Sequence, residues 1–231
     1  MSFVVAIDGP TSSGKSTLAK IISKELGFTN IQTGAMYRSV AKILLDNNIQ
    51  IIDIEKISEI LGKLDFEFRD TEDSQLVIVN GKDVTSEIRT KEVTDFTSEV
   101  ASIQQVRERL TQLQRNMAQK KNIVMEGRDI GTSVFPNADI KFFLMANANV
   151  RIQRKIKELR ENGEDYNYQE VAESVYKWDK DAIYRSQGAL KRAPDAICID
   201  TSTLTIDDMK NIAINQIIEK QKQIKSLELE I

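Results

Sequence analysis

The 231-residue chain contains no histidine, one cysteine and three prolines. Without histidine, a Ser-His-Asp triad, a Cys-His pair and a histidine-bound zinc or haem are all excluded. Cys198 has no second cysteine with which to form a disulfide bond inside the chain or a metal cluster. An enzyme built from this sequence must therefore work with carboxylates, cations, hydroxyl groups, backbone amides or a hard metal ion.

The charges nearly balance, with 32 Lys and Arg against 35 Asp and Glu and a net charge of -3. General nucleic-acid binders usually carry a basic excess, so we expect no nucleic-acid partner. No apolar run approaches the roughly 20 residues that span a bilayer, and the N-terminal residues lack the basic segment of a signal peptide. We therefore expect a cytoplasmic protein without a membrane partner, and the lack of a coiled-coil signal favours a monomer.

Short apolar runs alternate with helical patterns along most of the chain. Strands are predicted at residues 3–7, 28–31, 123–125, 140–145 and 196–199. This alternation predicts an α/β fold, in which helices cover both faces of a mainly parallel sheet. We interpret residues 1–231 as one unit and expect Cys198, in the last strand, to be buried.

Residues 64–89 follow a different pattern. Residues 64–68 alternate between apolar and polar types, and the apolar run 75–79 is followed by Asn80 and Gly81, the preferred two-residue hairpin turn. The segment is predicted to form a small antiparallel insert.

Residues 9–16 match the phosphate-binding pattern G-x-x-x-x-G-K-[ST] at every fixed position, between a predicted strand and a predicted helix. The loop amides and the helix N-terminus would present positive dipoles to phosphate oxygens. Lys15 would add a charge at the β- and γ-phosphates, and the Ser16 hydroxyl would ligate Mg²⁺. The predicted triphosphate-binding residues are Gly9, Pro10, Thr11, Ser12, Ser13, Gly14, Lys15, Ser16 and Thr17.

Three classes of protein use such a loop: a kinase of small molecules, a GTP-binding switch and an ATPase motor subunit. A switch is expected to carry an Asn-Lys-x-Asp guanine motif, which the sequence lacks. A motor is expected to have a larger chain or an evident ring partner. The kinase is the favoured interpretation.

Several later segments, taken with the phosphate loop, resemble the bacterial cytidylate kinases. They are residues 32–38 (Gln-Thr-Gly-Ala-Met-Tyr-Arg), 81–89 (Gly-Lys-Asp-Val-Thr-Ser-Glu-Ile-Arg), 126–132 (Glu-Gly-Arg-Asp-Ile-Gly-Thr) and 134–136 (Val-Phe-Pro). The resemblance implies the P-loop nucleoside monophosphate kinase fold, with about five parallel strands, a CMP-side insert and a helical lid at residues 151–185. It also implies Mg²⁺-dependent transfer of the γ-phosphoryl group of ATP to CMP or dCMP, giving ADP and CDP or dCDP, in pyrimidine nucleotide metabolism.

The acceptor in such a reaction is a phosphate oxygen. The second pKa of a phosphate monoester is about 6, so the nucleophile is largely ionised at pH 7 and needs no histidine base. The main difficulty is to bring two polyanions together, which suits the planar fork of arginine. We predict that the phosphoryl group in transfer contacts Lys15, Arg128, Arg154 and Arg185, with Arg154 as the lid arginine and Arg151 as the second choice.

The acceptor site is predicted from the same segments. Arg38 lies one helical turn after Thr33-Gly34, and by resemblance it contacts the CMP phosphate. Tyr37 is as compatible with packing as with ligand contact. By resemblance Asp129 recognises cytosine, and an acidic acceptor also suits the N4 amino group, since uracil O4 accepts. The predicted CMP-binding residues are Thr33, Tyr37, Arg38, Ser98, Arg107, Arg128, Asp129 and Arg185.

Glu126 closes a buried strand that we expect beside the strand of the phosphate loop. A carboxylate there can hold Mg²⁺ through water, as the Walker-B acid does. Ser16 and Glu126 are therefore the predicted metal-side residues, although Glu126 is also compatible with a role in orienting the loop.

One segment departs from the family pattern Arg-Asp-x-x-Asp-Ser/Thr-x-Arg. Asp179 and Arg185 match it, but Trp178 replaces the first arginine and Ala182 replaces an aspartate that contacts the ribose in the family. The choice between CMP and dCMP and the extent of UMP use therefore stay open. Two other functions also stay open: a kinase of UMP, AMP or a non-nucleotide acceptor, and a regulatory protein that binds nucleotide without turnover.

Overall fold

The computed structural model describes residues 2–71, 75–119 and 121–229. The strands are β1 (Val4–Asp8), β2 (Thr29–Gln32), β3 (Phe66–Asp70), β4 (Gln75–Val79), β5 (Lys82–Asp83), β6 (Ile123–Gly127), β7 (Ile140–Met145) and β8 (Ile197–Asp200). The helices are α1 (Lys15–Leu26), α2 (Thr33–Asp46), α3 (Ile54–Gly62), α4 (Lys91–Val100), α5 (Gln104–Met117), α6 (Ala148–Glu161), α7 (Tyr168–Tyr184) and α8 (Ile206–Leu229).

Five strands form a parallel sheet in the order β2-β6-β1-β7-β8. Successive residues of β1 point to opposite faces, and each face has its own hydrophobic core. Val4 and Ala6 pack with residues of α2 to α5, whereas Val5 and Ile7 pack with residues of α1 and α8. The predicted α/β fold, with helices on both faces of a parallel sheet, is confirmed.

A second, antiparallel sheet consists of β3, β4 and β5. Asn80 and Gly81 turn the chain from β4 to β5 with positive φ angles of 49° and 80°, as a type I′ hairpin requires. Residues 72–74 of the predicted insert lie outside the described residues. The antiparallel pairing expected from the sequence is confirmed.

The helices α6 and α7 pack on each other through a small core of their own. Ile152 and Ile156 on α6 are buried against Val171 and Val175 on α7. This cluster is separate from the two cores of the parallel sheet. Since their apolar faces are mutually satisfied, the two helices form a compact arm beside the sheet.

Two findings differ from the sequence interpretation. Cys198 is exposed rather than buried, and its Sγ accepts a hydrogen bond from Nη1 of Arg192 at 3.1 Å. The reason is that β8 is an edge strand, of which only Ile199 is buried.

The helix α3 has no counterpart among the predicted elements. Within the described ranges, no helix combines the length and the apolar character needed to cross a membrane.

Candidate active site

A cleft of about 680 Å³ opens where β1 and β6 end. Its walls come from the loop after β1, the start of α2, the helix α4, the segment after β6, the arm of α6 and α7, and the residues after β8. Parallel α/β sheets place ligand crevices at the carboxyl ends of their strands, so the cleft has the position expected of an active site.

The loop of residues 9–16 turns tightly between β1 and α1. At Gly9, where φ is 154°, a Cβ atom would collide with the carbonyl oxygen of Leu144 on the neighbouring strand. Only glycine fits there, as the sequence motif requires. Ser12 has a φ of 57°, a left-handed conformation that non-glycine residues rarely adopt and that often marks functional sites.

Lys15 is buried beneath this loop, and its Nζ donates a hydrogen bond to the carbonyl oxygen of Pro10 at 2.6 Å. Burial lowers the pKa of the Lys15 ammonium group to about 7, and repulsion by Arg128 adds to the shift. The charged form is thus disfavoured until an anion joins it. A phosphate group in the loop would supply that anion.

Glu126 lies next to the loop because β6 pairs directly with β1, with Glu126 opposite Ile7. Its Oε1 accepts a hydrogen bond from Oγ of Ser16 at 2.9 Å. Two hard oxygen ligands on neighbouring elements are the donor set that Mg²⁺ prefers. In the described part of the chain, no group of three or more Asp, Glu or Cys side chains could hold a metal alone, so further oxygens would have to come from a nucleotide.

Arg128 connects the end of β6 to the phosphate loop. Its Nη1 donates to the carbonyl oxygen of Gly9 at 2.6 Å, and its Nη2 donates to Oγ1 of Thr11 at 2.5 Å. Burial lowers the pKa of this guanidinium group. Arg128 therefore contacts the phosphate loop and also lines the cleft beside it.

The side chain of Asp129, the next residue, points away from the phosphate loop and forms a buried ion pair with Arg107 on α5. Burial raises the pKa of Asp129. The Arg107 guanidinium carbon lies 5.7 Å from the centre of the Tyr37 ring, and burial raises the pKa of Tyr37 to about 12. No described residue accepts a hydrogen bond from Nη1 of Arg107. The ion pair thus places the acceptor oxygens of the Asp129 carboxylate beside the Nη1 group of Arg107, a buried donor without a partner among the described residues.

The other predicted acceptor residues lie along α2 and α4. Oγ1 of Thr33 donates to the carbonyl oxygen of Glu126 at 2.8 Å, which fixes the start of α2 to β6. Arg38 lies one turn further on the cleft wall, and burial lowers its pKa. Ser98 lines the cleft from α4 and Tyr37 from α2. Arg107 lies behind Asp129 and lines a second hollow of about 450 Å³.

The helical arm contributes two of the predicted arginines to the cleft. Arg154 donates to Oγ1 of Thr201 at 2.9 Å and to the Thr201 carbonyl oxygen at 2.6 Å. Arg185 directly follows the last residue of α7, and burial together with repulsion by Arg107 lowers its pKa. Trp178 and Ala182, the two departures from the family pattern, also line the cleft.

Arg151, the second choice for the lid arginine, is not among the described residues that line the cleft. It is buried in an ion pair with Asp179, and its Nη1 also donates to the carbonyl oxygen of Thr11 at 3.1 Å. Oδ1 of Asp179 accepts a hydrogen bond from the Thr11 amide at 2.9 Å. The pair braces the arm against the phosphate loop, because both of its members contact Thr11.

Asp179 and Thr201 are absent from the residues predicted for the site. Oγ1 of Thr201 donates to the carbonyl oxygen of Ser13 at 3.0 Å, so it supports the loop from the far side of β7. The match of Asp179 to the family pattern was a usable signal in the sequence. Thr201 lies in a Thr-Ser-Thr run without any motif, and its contact could be found only in the folded chain.

The electrostatics of the cleft differ from those of the whole protein. Seven of its described lining residues are Lys or Arg and four are Asp or Glu, although the chain has a net charge of -3. Burial lowers the pKa values of Lys15, Arg38, Arg128, Arg154 and Arg185. A group of cations whose charged forms are disfavoured without a partner is suited to a polyanionic ligand.

Comparison with known proteins gives a family match along most of the chain. A family model described as cytidylate kinase matches residues 5–222. The cytidylate kinase of Caldicellulosiruptor bescii is 43% identical over 205 residues, which cover 89% of this chain and 91% of that protein. The cytidylate kinase of Bacillus subtilis is 39% identical over 218 residues, which cover 94% of this chain and 97% of that protein.

Among solved structures, an uncharacterized protein from Eubacterium ventriosum matches with a TM-score of 0.52 at 15% identity, covering 94% of this chain and 98% of that one. At this identity the likeness concerns the fold alone.

Proposed function

The chain belongs to the cytidylate kinase family, and from that premise we propose how its residues bring the two substrates together. The enzyme transfers the γ-phosphoryl group of ATP to CMP or dCMP, giving ADP and CDP or dCDP. The observation that carries this function is the family match over residues 5–222. The cation-rich cleft beside the phosphate loop supports it independently.

On the donor side, we propose that residues 9–17 bind the phosphates of ATP. The loop amides face the β-phosphate, and the Lys15 ammonium group exchanges its hydrogen bond to Pro10 for phosphate oxygens. Arg154 reaches the same phosphates from α6, since it lies next to Ser12 and lines the cleft.

On the acceptor side, we propose that Arg38, Arg128 and Arg185 bind the phosphate of CMP, with Thr33 and Tyr37 beside it. Asp129 accepts a hydrogen bond from the cytosine amino group, and Arg107 offers its unused donor to the ring. The assignment of Ser98 to the base rests on its position on α4 and on the resemblance.

The transfer step follows from these positions. An oxygen of the CMP phosphate attacks the γ-phosphorus, the bond from that phosphorus to the β,γ-bridging oxygen breaks, and the electron pair stays on ADP. The nucleophile arrives ionised, which fits the absence of histidine. Lys15, Arg128, Arg154 and Arg185 balance the negative charge of the group in flight. Closure of the helical lid, residues 151–185, over the bound substrates would exclude water as a competing acceptor.

Mg²⁺ fits this site, and we propose that Ser16 and Glu126 are the residues on its side of the nucleotide. Bound with ATP, the ion would offset charge on the β- and γ-phosphates. The Ser16 hydroxyl would be a direct ligand, whereas Glu126 would act through water, since its Oε1 already accepts the Ser16 hydrogen bond.

Glu126→Gln should raise the free Mg²⁺ concentration for half-maximal activity by about tenfold, a size typical of residues that support a metal from outside its direct ligands. Glutamine keeps an oxygen for Ser16 but removes the charge. The measurement is initial rate against buffered free Mg²⁺ at saturating ATP and CMP, with Glu161→Gln, on the outer cleft wall, as the control. An unchanged Mg²⁺ dependence would mean that Glu126 only orients the loop.

ATP binding at pH 8 should be accompanied by the uptake of most of one proton by Lys15. With a pKa of about 7 in the free protein, the Lys15 amine is mostly neutral at pH 8, and bound phosphates restore the ammonium form. Isothermal titration calorimetry in buffers of different ionisation enthalpy measures the uptake. Lys15→Met should abolish it, and Lys24→Met, an exposed lysine on the same helix, should not. Equal uptake by the Lys15 and Lys24 variants would contradict this pKa.

One assay separates the proposed function from its alternatives. ADP release is coupled to a detectable reaction, with ATP as donor and CMP, dCMP, UMP and AMP as acceptors. CMP and dCMP should lead. A lead by UMP or AMP would identify another nucleotide kinase, and ATP binding without turnover on any acceptor would identify a regulatory protein. Loss of rate on chelation with EDTA tests the need for Mg²⁺.

We propose that the residues that depart from the family pattern, Trp178 and Ala182, determine the relative use of CMP and dCMP. We propose that the ribose faces Trp178 and Ala182, neither of which offers a carboxylate to the hydroxyl groups. The acceptor panel compares CMP and dCMP directly. The monomeric state, the cytoplasmic location and the lack of nucleic-acid and membrane partners stay predictions from the sequence.

A further inference from the structure

Asp8 ends β1, directly before the phosphate loop, and no role has been assigned to it above. Its side chain is only 4% exposed. Oδ1 accepts a hydrogen bond from the Ile130 amide at 2.8 Å, and Oδ2 accepts one from the Gly131 amide at 2.7 Å. The carboxylate thus holds the first turn of a short π-helix, Ile130–Val134, that follows the Gly-Arg-Asp segment.

The same residue also holds the chain before that segment. In the parallel pairing of β1 with β6, Asp8 lies opposite Gly127. Only Arg128 and Asp129 lie between the backbone paired with Asp8 and the amides bound by its carboxylate. Their side chains leave in different directions, Arg128 to the phosphate loop and Asp129 to Arg107.

We propose that Asp8 is a positioning residue for the acceptor site, because it holds both ends of the two-residue segment that presents Arg128 and Asp129. This inference rests on the proposed function, in which these two residues bind CMP. It assigns Asp8 to the acceptor side of the cleft, although its neighbour in the chain, Gly9, begins the ATP side.

A carboxylate suits this task better than an amide. Both of its oxygens accept hydrogen bonds, whereas asparagine has one acceptor and would turn an N–H group towards a backbone N–H. Burial raises the pKa of Asp8 to about 6, and the two backbone hydrogen bonds oppose the rise. At pH 8 the group is therefore ionised, and both of its bonds are charge-assisted.

Asp8→Asn should raise the KM for CMP by about tenfold, as expected when substrate-positioning groups lose their alignment. The KM for ATP should stay within about twofold, and the ratio of kcat/KM for CMP to that for UMP should fall, because Asp129 is less well held. The measurement is steady-state kinetics at pH 8 with each substrate varied in turn. A purely structural loss would lower the active fraction without changing these ratios.

Two further variants sharpen the test. Asp139→Asn is the matched control, because Oδ2 of Asp139 accepts a hydrogen bond from the Val4 amide at 2.7 Å at the opposite end of β1. It should leave both KM values unchanged. Gly131→Ala serves if the Asp8 variant does not fold. Its methyl group would lie 3.3 Å from Oδ2 of Asp8 and 3.1 Å from Cδ of Lys141, so it should raise the KM for CMP by a smaller factor.

The outcomes separate the inference from the function on which it rests. If Arg128 and Asp129 variants change the KM for CMP but Asp8→Asn and Gly131→Ala do not, Asp8 does not position them. An equal rise of both KM values would assign Asp8 to the phosphate loop instead and would also overturn the inference. If the unmodified enzyme does not phosphorylate CMP, the proposed function itself fails. If the Arg128 and Asp129 variants bind CMP normally, the assignment of these residues to the acceptor site fails, and the inference fails with it.

Discussion

Arg128→Ala should lower the turnover number for CMP phosphorylation by roughly 10²- to 10³-fold, as the removal of one preorganised donor from a transition state commonly does. Arg128 lies between the phosphate loop, where its guanidinium group contacts Gly9 and Thr11, and the proposed acceptor site. Negative charge on the phosphoryl group in flight develops between these two regions. Because the Arg128 side chain is partly buried, its interaction with a charged group is stronger than that of an arginine at the open surface.

The measurement is kcat at saturating ATP and CMP, with thermal unfolding to show that the variant is folded. Arg115→Ala is a matched control, since Arg115 likewise donates two hydrogen bonds, in its case to the carbonyl oxygens of Val134 and Ser133, but lies outside the main cleft. Arg128→Lys should recover only part of the rate, because a point charge does not replace the bidentate fork. If folded Arg128→Ala kept a kcat within threefold of the unmodified enzyme, Arg128 would not be one of the residues that stabilise the transferring phosphoryl group.

Arg128→Ala also removes two hydrogen bonds that the phosphate loop accepts in the ligand-free protein. If that loss were the whole effect, the KM for ATP would rise and kcat at saturation would be retained. A transition-state role predicts the opposite pattern, with kcat falling more than the KM for ATP rises. The two parameters together therefore distinguish support of the loop from stabilisation of the transferring group.

The parts of the fold that could be predicted from sequence are those governed by local physics. The phosphate loop depends on glycines at fixed spacing, and β4 could be bounded correctly because Asn80 and Gly81 mark the end of its apolar run. The helix α3 could also have been predicted from the sequence, since Asp53 is a typical N-cap residue and the apolar residues Ile57 and Leu61 follow at helical spacing.

The parts that could not be predicted depend on contacts between distant segments. Asp179 accepts a hydrogen bond from the Thr11 amide, 168 residues away in the chain. Because Arg151 pairs with Asp179, it contacts the phosphate loop instead of lining the cleft. The exposure of Cys198 depends on which strand lies at the sheet edge, a property of strand order that periodicity does not contain.

Asp129→Asn should lower kcat/KM for CMP by roughly 10²-fold and should narrow the preference for CMP over UMP. In the proposed site the carboxylate accepts a hydrogen bond from the cytosine amino group, whereas the asparagine amide could turn its N–H₂ group to the uracil O4. An oxygen of asparagine can still accept from Arg107, so the buried guanidinium keeps one partner. The charge of the pair is lost, however, and some loss of stability should accompany the change.

The substrate panel provides its own control for this variant. CMP and dCMP carry the same base, so their kcat/KM values should fall by the same factor, while that for UMP should fall less or rise. Equal losses for all three nucleotides would indicate damage to the phosphate-binding arginines rather than to base recognition. An unchanged ratio of kcat/KM for CMP to that for UMP in a folded variant would show that other groups recognise the base, and Ser98 and the unused donor of Arg107 are the other polar groups assigned to it.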